Sequence, residues 1–378
     1  MPIFTRSPKF LSKTTNYTIY GILDIWVWYG GKYQNLQAST YTLRKNAIDK
    51  RVTFEISELI RDYLDDNFNG DYESEVAWVK TEFKLFDLQD NLLLKEVLTD
   101  FALDGYSYYQ DDLQAATPNA LLTNREIFVL DDSVFRIPVL TENNPFITFL
   151  KDGEIIATTT LTDSPLSVNQ VKYVSINGTT ENWDSFKERV LEDGATSYEP
   201  NLCLQQYLND FSVGSVDKII ITDDISETPE VINVRVVQEC KYEPKKVTFI
   251  NKYGALQDMY FYKKSVEEIN VKKESYKSNV LEEYQFDSSK HVFRDFNVIG
   301  KESVTLSSGF LSENYNEVFK QLMLSEKVWV TNIIETGEQI SPVNVKTKSL
   351  KYKTNLNDKL VEYTFDFDNS FDTINNIR

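Results

Sequence analysis

Two stretches, Tyr17–Tyr29 (YTIYGILDIWVWY) and Val76–Asp87 (VAWVKTEFKLFD), concentrate β-branched and aromatic residues, and the second alternates them with polar ones. A period of two puts alternate side chains on one face of a pleated strand and gives a helix no apolar stripe to bury. Gly30-Gly31 closes the first stretch with a turn signal, and Gln89-Asp90-Asn91 lets Asn91–Thr99 return antiparallel to the second. Tyr41–Lys45 and Arg51–Ile56 read as further strands. The period changes only at Ser57–Leu64, where Leu59, Ile60, Tyr63 and Leu64 share a helical face and Ser57 is placed to cap it.

The same grammar continues downstream. Glu126–Leu130, Val134–Leu140, Phe146–Leu150 and Glu154–Leu161 are strand candidates, with Asp152-Gly153 as a hairpin turn able to take positive φ. Val171–Ile176, Lys218–Ile221 and Val231–Val237 extend the β pattern, while Trp183–Glu192 and Leu202–Phe211 have helical spacing. Val247–Ile250, Met259–Tyr262 and the charged alternation Val266–Tyr276 are β again. Ser312–Leu324 is the best helix, with Ser312 as cap and Tyr315, Val318, Phe319, Leu322 and Met323 on one face. Val328–Val330, Val343–Tyr352 and Leu360–Phe367 follow as strands, the last expected to pair with Leu350–Tyr352.

These patterns predict a mainly β chain with a few short helices, a β-rich α+β fold of several domains built from antiparallel, sandwich-like sheets. The 22 Tyr and 23 Phe among 378 residues suit half-buried pleated surfaces. The polar, Tyr-rich stretch Asp104–Asn119 reads as a junction, which gives expected domains of 1–115, 116–245 and 246–378. Tyr106, Tyr108 and Tyr109 in that stretch are candidate interface anchors, although Tyr also serves sheets through cross-strand pairs.

Chemistry is harder to find. His291 is the single histidine, too few for a zinc site and without a Ser or Cys partner for a nucleophilic triad, so it reads as a solvent-facing strand residue. No phosphate-binding glycine loop is present; Gly30-Gly31-Lys32 and Gly300-Lys301 lack the required spacing. The expectation is therefore no catalytic residue, no cofactor and no enzyme. One metal pattern has real spacing: Asp65, Asn67, Asn69, Asp71 and Glu73 alternate around Gly70 as in the first half of a calcium loop. The register then fails, with Val76 at the twelfth position, and an acidic turn from helix to strand is the simpler reading.

A net charge of -18 argues against sequence-blind nucleic-acid binding, and Lys263-Lys264 and Lys272-Lys273 read as solvated faces. Cys203 and Cys240 form no disulfide framework and read as buried free thiols. No signal peptide or membrane span is expected, so the chain is expected to fold in a cytoplasm.

The segments Phe249–Tyr262 (FINKYGALQDMYFY) and Pro342–Leu360 with the following VEYTFDF resemble recurrent segments of virion tail and neck proteins from phages of Bacteroidetes hosts, including the crAss-like podophages. The resemblance is most specific over Val231–Arg378, with a weaker echo in Val52–Leu64. It implies a non-enzymatic ring or hub subunit of the DNA conduit, in the virion, assembled in the bacterial cytoplasm. The implied partners are copies of itself in a cyclic ring and other tail or neck proteins such as the portal, neighbouring rings or fibres. A receptor- or glycan-binding module of a tail fibre is the alternative.

Overall fold

The computed structural model describes the chain except residues 1, 31, 33–37, 66, 75, 112–116, 132, 142–143, 162–170, 178–212, 215, 224–228, 280, 283–284, 287, 335–336, 352–359 and 375–378. The helical patterns at 183–192 and 202–211, and Cys203, lie outside the described residues. What is described is mostly β with short helices, in two compact units. The first comprises Met1–Gln238, Thr248–Met259 and Asn314–Ser325; the second comprises Glu239–Val247, Tyr260–Glu313 and Glu326–Arg378.

The first unit opens with β1 (Ile3–Phe4), β2 (Phe10–Thr14), β3 (Tyr20–Trp28), β4 (Tyr41–Asn46), β5 (Arg51–Glu55), α1 (Ser57–Arg61), β6 (Ala77–Phe86) and β7 (Leu92–Leu103). Five of them form one sheet in the order β1-β7-β6-β3-β4, and β2 pairs separately with β5. Alternation does the sorting: Leu23 and Ile25 of β3 and Phe83 and Leu85 of β6 turn to a core shared with Val52, Phe54 and Ile60. Phe54 meets Phe83 edge-on, centroids 5.4 Å apart. Trp28, Trp78 and Phe101 join a second core with Phe4, Leu121 and Tyr253.

The chain continues through β8 (Glu126–Leu130), β9 (Val134–Leu140), β10 (Phe146–Lys151), β11 (Glu154–Thr160), β12 (Val171–Asn177), β13 (Val213–Gly214), β14 (Lys218–Thr222) and β15 (Glu230–Val237). These make two sheets, β11-β10-β14-β15-β8 and β13-β12-β9. Asp152 (φ 51°) and Gly153 (φ 85°) form the expected turn between β10 and β11. Most pairs are antiparallel, but β1-β7, β8-β15 and β12-β13 run parallel.

The remaining elements are β16 (Lys245–Ile250), β17 (Leu256–Phe261), β18 (Val266–Lys277), β19 (Leu281–Glu282), β20 (Gln285–Phe286), β21 (Phe293–Ser307), β22 (Leu311–Ser312), α2 (Asn316–Leu324), β23 (Val328–Ile334), β24 (Gly337–Val345), β25 (Leu360–Val361) and β26 (Thr364–Asn369). One sheet has the order β17-β16-β23-β24-β26-β21-β18, and the unit boundary runs through β16 and β17. In the second unit this sheet curls: Phe261 of β17 sits 6.0 Å, centroid to centroid, from both Phe365 and Phe367 of β26, four places away in strand order.

Three local expectations are corrected. Ser57 does not cap α1; Ile56 occupies the cap position, and the Glu55 carboxylate at the end of β5 accepts the Ser57 N–H (2.8 Å) and hydroxyl. The strand end thus supplies the acceptor that the sequence assigned to Ser57. Ser312 does not cap α2 either: it pairs with Leu360 in a short ladder, a 3-10 turn over Glu313–Tyr315 follows, and Tyr315 takes the cap position. Finally, Leu360–Phe367 is two strands rather than one. β25 pairs with β22, whereas β26 lies between β24 and β21; of the expected partner Leu350–Tyr352, Tyr352 lies outside the described residues and Leu350 is in no strand.

Candidate functional site

The segment around Asn251 is a framework turn in the first unit. The Asn251 side-chain oxygen accepts the backbone N–H groups of Tyr253 (2.9 Å) and Ala255 (3.2 Å). Its amide donates to the Leu121 carbonyl (2.7 Å) and to Gln257 (3.0 Å). Gly254 adopts φ 75°, which glycine takes without strain, and a side chain would have no room: a Cβ there would lie 2.8–2.9 Å from the backbone of Asp104 and Gly105. Every residue of β17 is buried, including Gln257 and Asp258. Buried polar groups demand partners, and Asp258 has them: the Tyr72 hydroxyl donates to both carboxylate oxygens (2.6 and 2.8 Å), and the Thr248 hydroxyl donates at 2.7 Å.

Tyr72 links this turn to the acidic loop. Phe68 is buried and Tyr72 half-buried, their rings 5.0 Å apart, and the Arg136 guanidinium lies 4.1 Å from the Tyr72 ring centroid. Asp65, Asn67, Asn69, Asp71 and Glu73 all point outward, so their alternation is the exposed half of a segment pinned by aromatic residues. The Asn69 side-chain oxygen accepts the Asp71 N–H at 3.0 Å, an Asx turn ahead of β6. Among the described residues no group of three His, Cys, Asp or Glu is poised to hold a metal. Calcium is expected to leave the melting temperature unchanged; a calcium-dependent rise, lost in Asp65→Asn/Asp71→Asn, would make this a metal loop.

The Tyr-rich stretch expected to be a junction lies within the first unit and is partly internal. Tyr106 is buried, and Tyr108 donates to Glu317 of α2 at 2.5 Å beneath the Lys320 ammonium, 3.5 Å from its ring centroid. Only Tyr109 is left fully exposed of the three. Gln321, missed by a purely apolar reading of α2, is buried, donates to Thr123 and accepts the Lys252 N–H at 3.2 Å.

Burial is the first cause, and neighbouring carboxylates the next for Tyr72, of a strong upward push on tyrosine ionisation. Tyr72 and Tyr315 are held far above the ordinary phenol range, and Tyr106 and Tyr253 are pushed up to about 12. The unfolded chain therefore loses these protons first. Stability is retained below pH ~10 and falls as pH rises beyond it, by up to ~1.4 kcal/mol per pH unit for each fully buried tyrosine. Urea unfolding at stepped alkaline pH should show this fall, and Tyr72→Phe should flatten it. An unchanged slope in that variant would contradict the assignment.

The remaining singled-out residues are peripheral. His291 is exposed and precedes β21 rather than lying in a strand. Cys240 is an exposed free thiol in the bend after β15, not a buried one. Lys263 pairs with Glu239 (2.9 Å) and Lys273 with Asp295 (2.6 Å). No described helix is long and apolar enough to cross a membrane.

The most distinctive surface belongs to the second unit. All twelve residues of β18 are exposed. Its partner β21 is paired to β26 only over Ser303–Ser307, with one further backbone bond from Thr373 to the Gly300 carbonyl (2.8 Å). Beyond Gly300, Lys272–Lys277 and Phe293–Ile299 form a two-stranded ribbon with no third strand among the described residues, about 20 Å long at ~3.4 Å per residue. At its base, the sheet face leaves an open groove of about 470 Å³, floored by Val304, Val330 and Val343 and overlooked by Glu267 and Glu302. No protein-family model matches the chain, and no curated protein matches it.

Proposed function

We propose that the chain is a non-enzymatic structural subunit of a phage virion tail or neck, one member of a closed ring around the DNA conduit. The observation that carries this reading is the likeness of Phe249–Tyr262 and Pro342–Phe367 to recurrent segments of such proteins. In this chain those segments are used as framework. Asn251, Gly254 and Asp258 hold a buried turn, and Phe365 and Phe367 fill the core of the second unit. Residues spent on scaffold point to a shape being kept, which is what a ring member supplies. The net charge of -18 suits a wall past which DNA slides without adhering.

Quantitative mass spectrometry of purified particles tests the reading. A copy number equal to that of one ring, comparable to the portal, is the expected result. A few copies per particle, abundance near that of the capsid subunit, or normal infection by particles lacking the chain would each overturn it. Binding on a glycan array, with no fixed copy number, would favour the fibre-tip alternative.

A further inference from the structure

The outer ribbon presents two unlike faces. On one, Lys273 is neutralised by Asp295 at 2.6 Å. On the other, the paired positions Tyr276↔Arg294 and Glu274↔Phe296 bring Tyr276, Arg294 and Phe296 together, with the two rings 5.7 Å apart and Lys272 on the same side. Phe296 and Tyr276 are 45% and 47% exposed, far more than a strand residue in a covered sheet. A lone two-stranded ribbon is marginal in water, and aromatic and arginine side chains are the usual anchors of protein interfaces.

The groove at the base of the ribbon is the complement. Its lining includes Val304, Val330, Val343 and Ile269, and its charges, Glu267, Glu268 and Glu302, are all acidic, whereas the ribbon face carries Arg294 and Lys272 against one carboxylate, Glu274. The ribbon cannot reach its own groove, because Glu267 and Glu302 belong to the same two strands, β18 and β21, that form it. Folding back would break that ladder. A donor and an acceptor patch that do not overlap, both on one chain, make a heterologous contact, which closes into a ring when the rotation per subunit permits.

We propose that the Tyr276–Arg294–Phe296 face of the ribbon docks into the Glu267/Glu302 groove of a second copy of this chain. This deepens the ring reading by naming the contact through which one copy holds the next. A face with more cations than carboxylates, Arg294 and Lys272 against Glu274, is what such a contact requires in a chain of net charge -18, whose copies otherwise repel one another.

The test uses the full chain in a Cys203→Ser/Cys240→Ser background, as two populations. One carries Glu274→Cys on the ribbon, the other Gln339→Cys on the groove wall, and they are mixed under mild oxidation. A disulfide-linked heterodimer is expected, its yield falling with added salt. Arg294→Glu in the ribbon population should return the yield to that of a control mixture with Glu154→Cys in the first unit, and Glu302→Arg in the groove population should restore it. A yield no greater than the control, or cross-links only between Glu274→Cys copies, would overturn the proposal. The two readings separate cleanly: heterodimers in solution without a ring copy number in particles would remove the ring and keep the contact. A ring copy number in particles whose Arg294→Glu chain still assembles would remove the contact and keep the ring.

Discussion

Gly254→Ala is expected to leave the chain largely insoluble, and whatever remains soluble should unfold at a much lower denaturant concentration. Two costs combine. A non-glycine residue at φ 75° pays about 1–2 kcal/mol for the left-handed conformation. Its Cβ would also press on the backbone of Asp104 and Gly105 at 2.8–2.9 Å, where no flexible side chain can move aside. Overpacking of that kind adds about 1–3 kcal/mol, a serious loss against a typical margin of ~5–15 kcal/mol. Gly105→Ala should behave alike, since a Cβ there meets Phe4 at 2.6 Å and the Lys252 carbonyl at 2.8 Å. The two glycines let two backbones cross, so neither tolerates a methyl group. A soluble Gly254→Ala chain with an unchanged unfolding midpoint would contradict this account.

Deleting residues 359–378 should be at least as damaging. The cut removes β25 and β26, and β26 is the strand between β24 and β21. Phe365 and Phe367 are fully buried, and losing a buried Phe side chain costs about 3–5 kcal/mol each. The ribbon-forming strands β18 and β21 would also lose the attachment that Ser303–Ser307 provide. Insoluble protein is the expected result. A truncated chain that stays soluble and melts cooperatively would show the segment to be dispensable. Phe365→Ala/Phe367→Ala offers a finer probe; the rings lie 6.3 Å apart, so the double variant should not equal the sum of the single ones.

What the sequence made legible was local. The β-branched and aromatic content of β3, the alternation of β6 and the Asp152-Gly153 turn follow from residue type, side-chain period and backbone preference, and all three reappear in the structure. The buried face of α2 followed from helical spacing in the same way. The capping serines misled because capping is a competition. Glu55 was a better acceptor beside Ser57, and a strand partner claimed Ser312. Strand neighbours were hidden for a different reason: β26 lies between strands that no turn joins to it. The Tyr72–Asp258 bond spans 186 positions, beyond any local pattern. One clue was present, since Gln257 and Asp258 stand inside an otherwise apolar run and a buried carboxylate always has partners. The alternation of Val266–Tyr276 predicted a strand correctly, but period two cannot say whether a second layer will cover it.

The first unit takes its last piece, Asn314–Ser325, from far down the chain. Glu317 and Gln321 of α2 close bonds with Tyr108 and Thr123 across 209 and 198 positions. During synthesis at ~5–20 residues per second, the first 238 residues therefore wait several seconds for the helix that completes them. Until then Tyr108 and Thr123 lack their α2 partners. The groove of the second unit comes later still, because Val330, Gln339 and Val343 follow that helix, so a ribbon already made meets no finished groove on a neighbouring nascent chain until synthesis has passed β24.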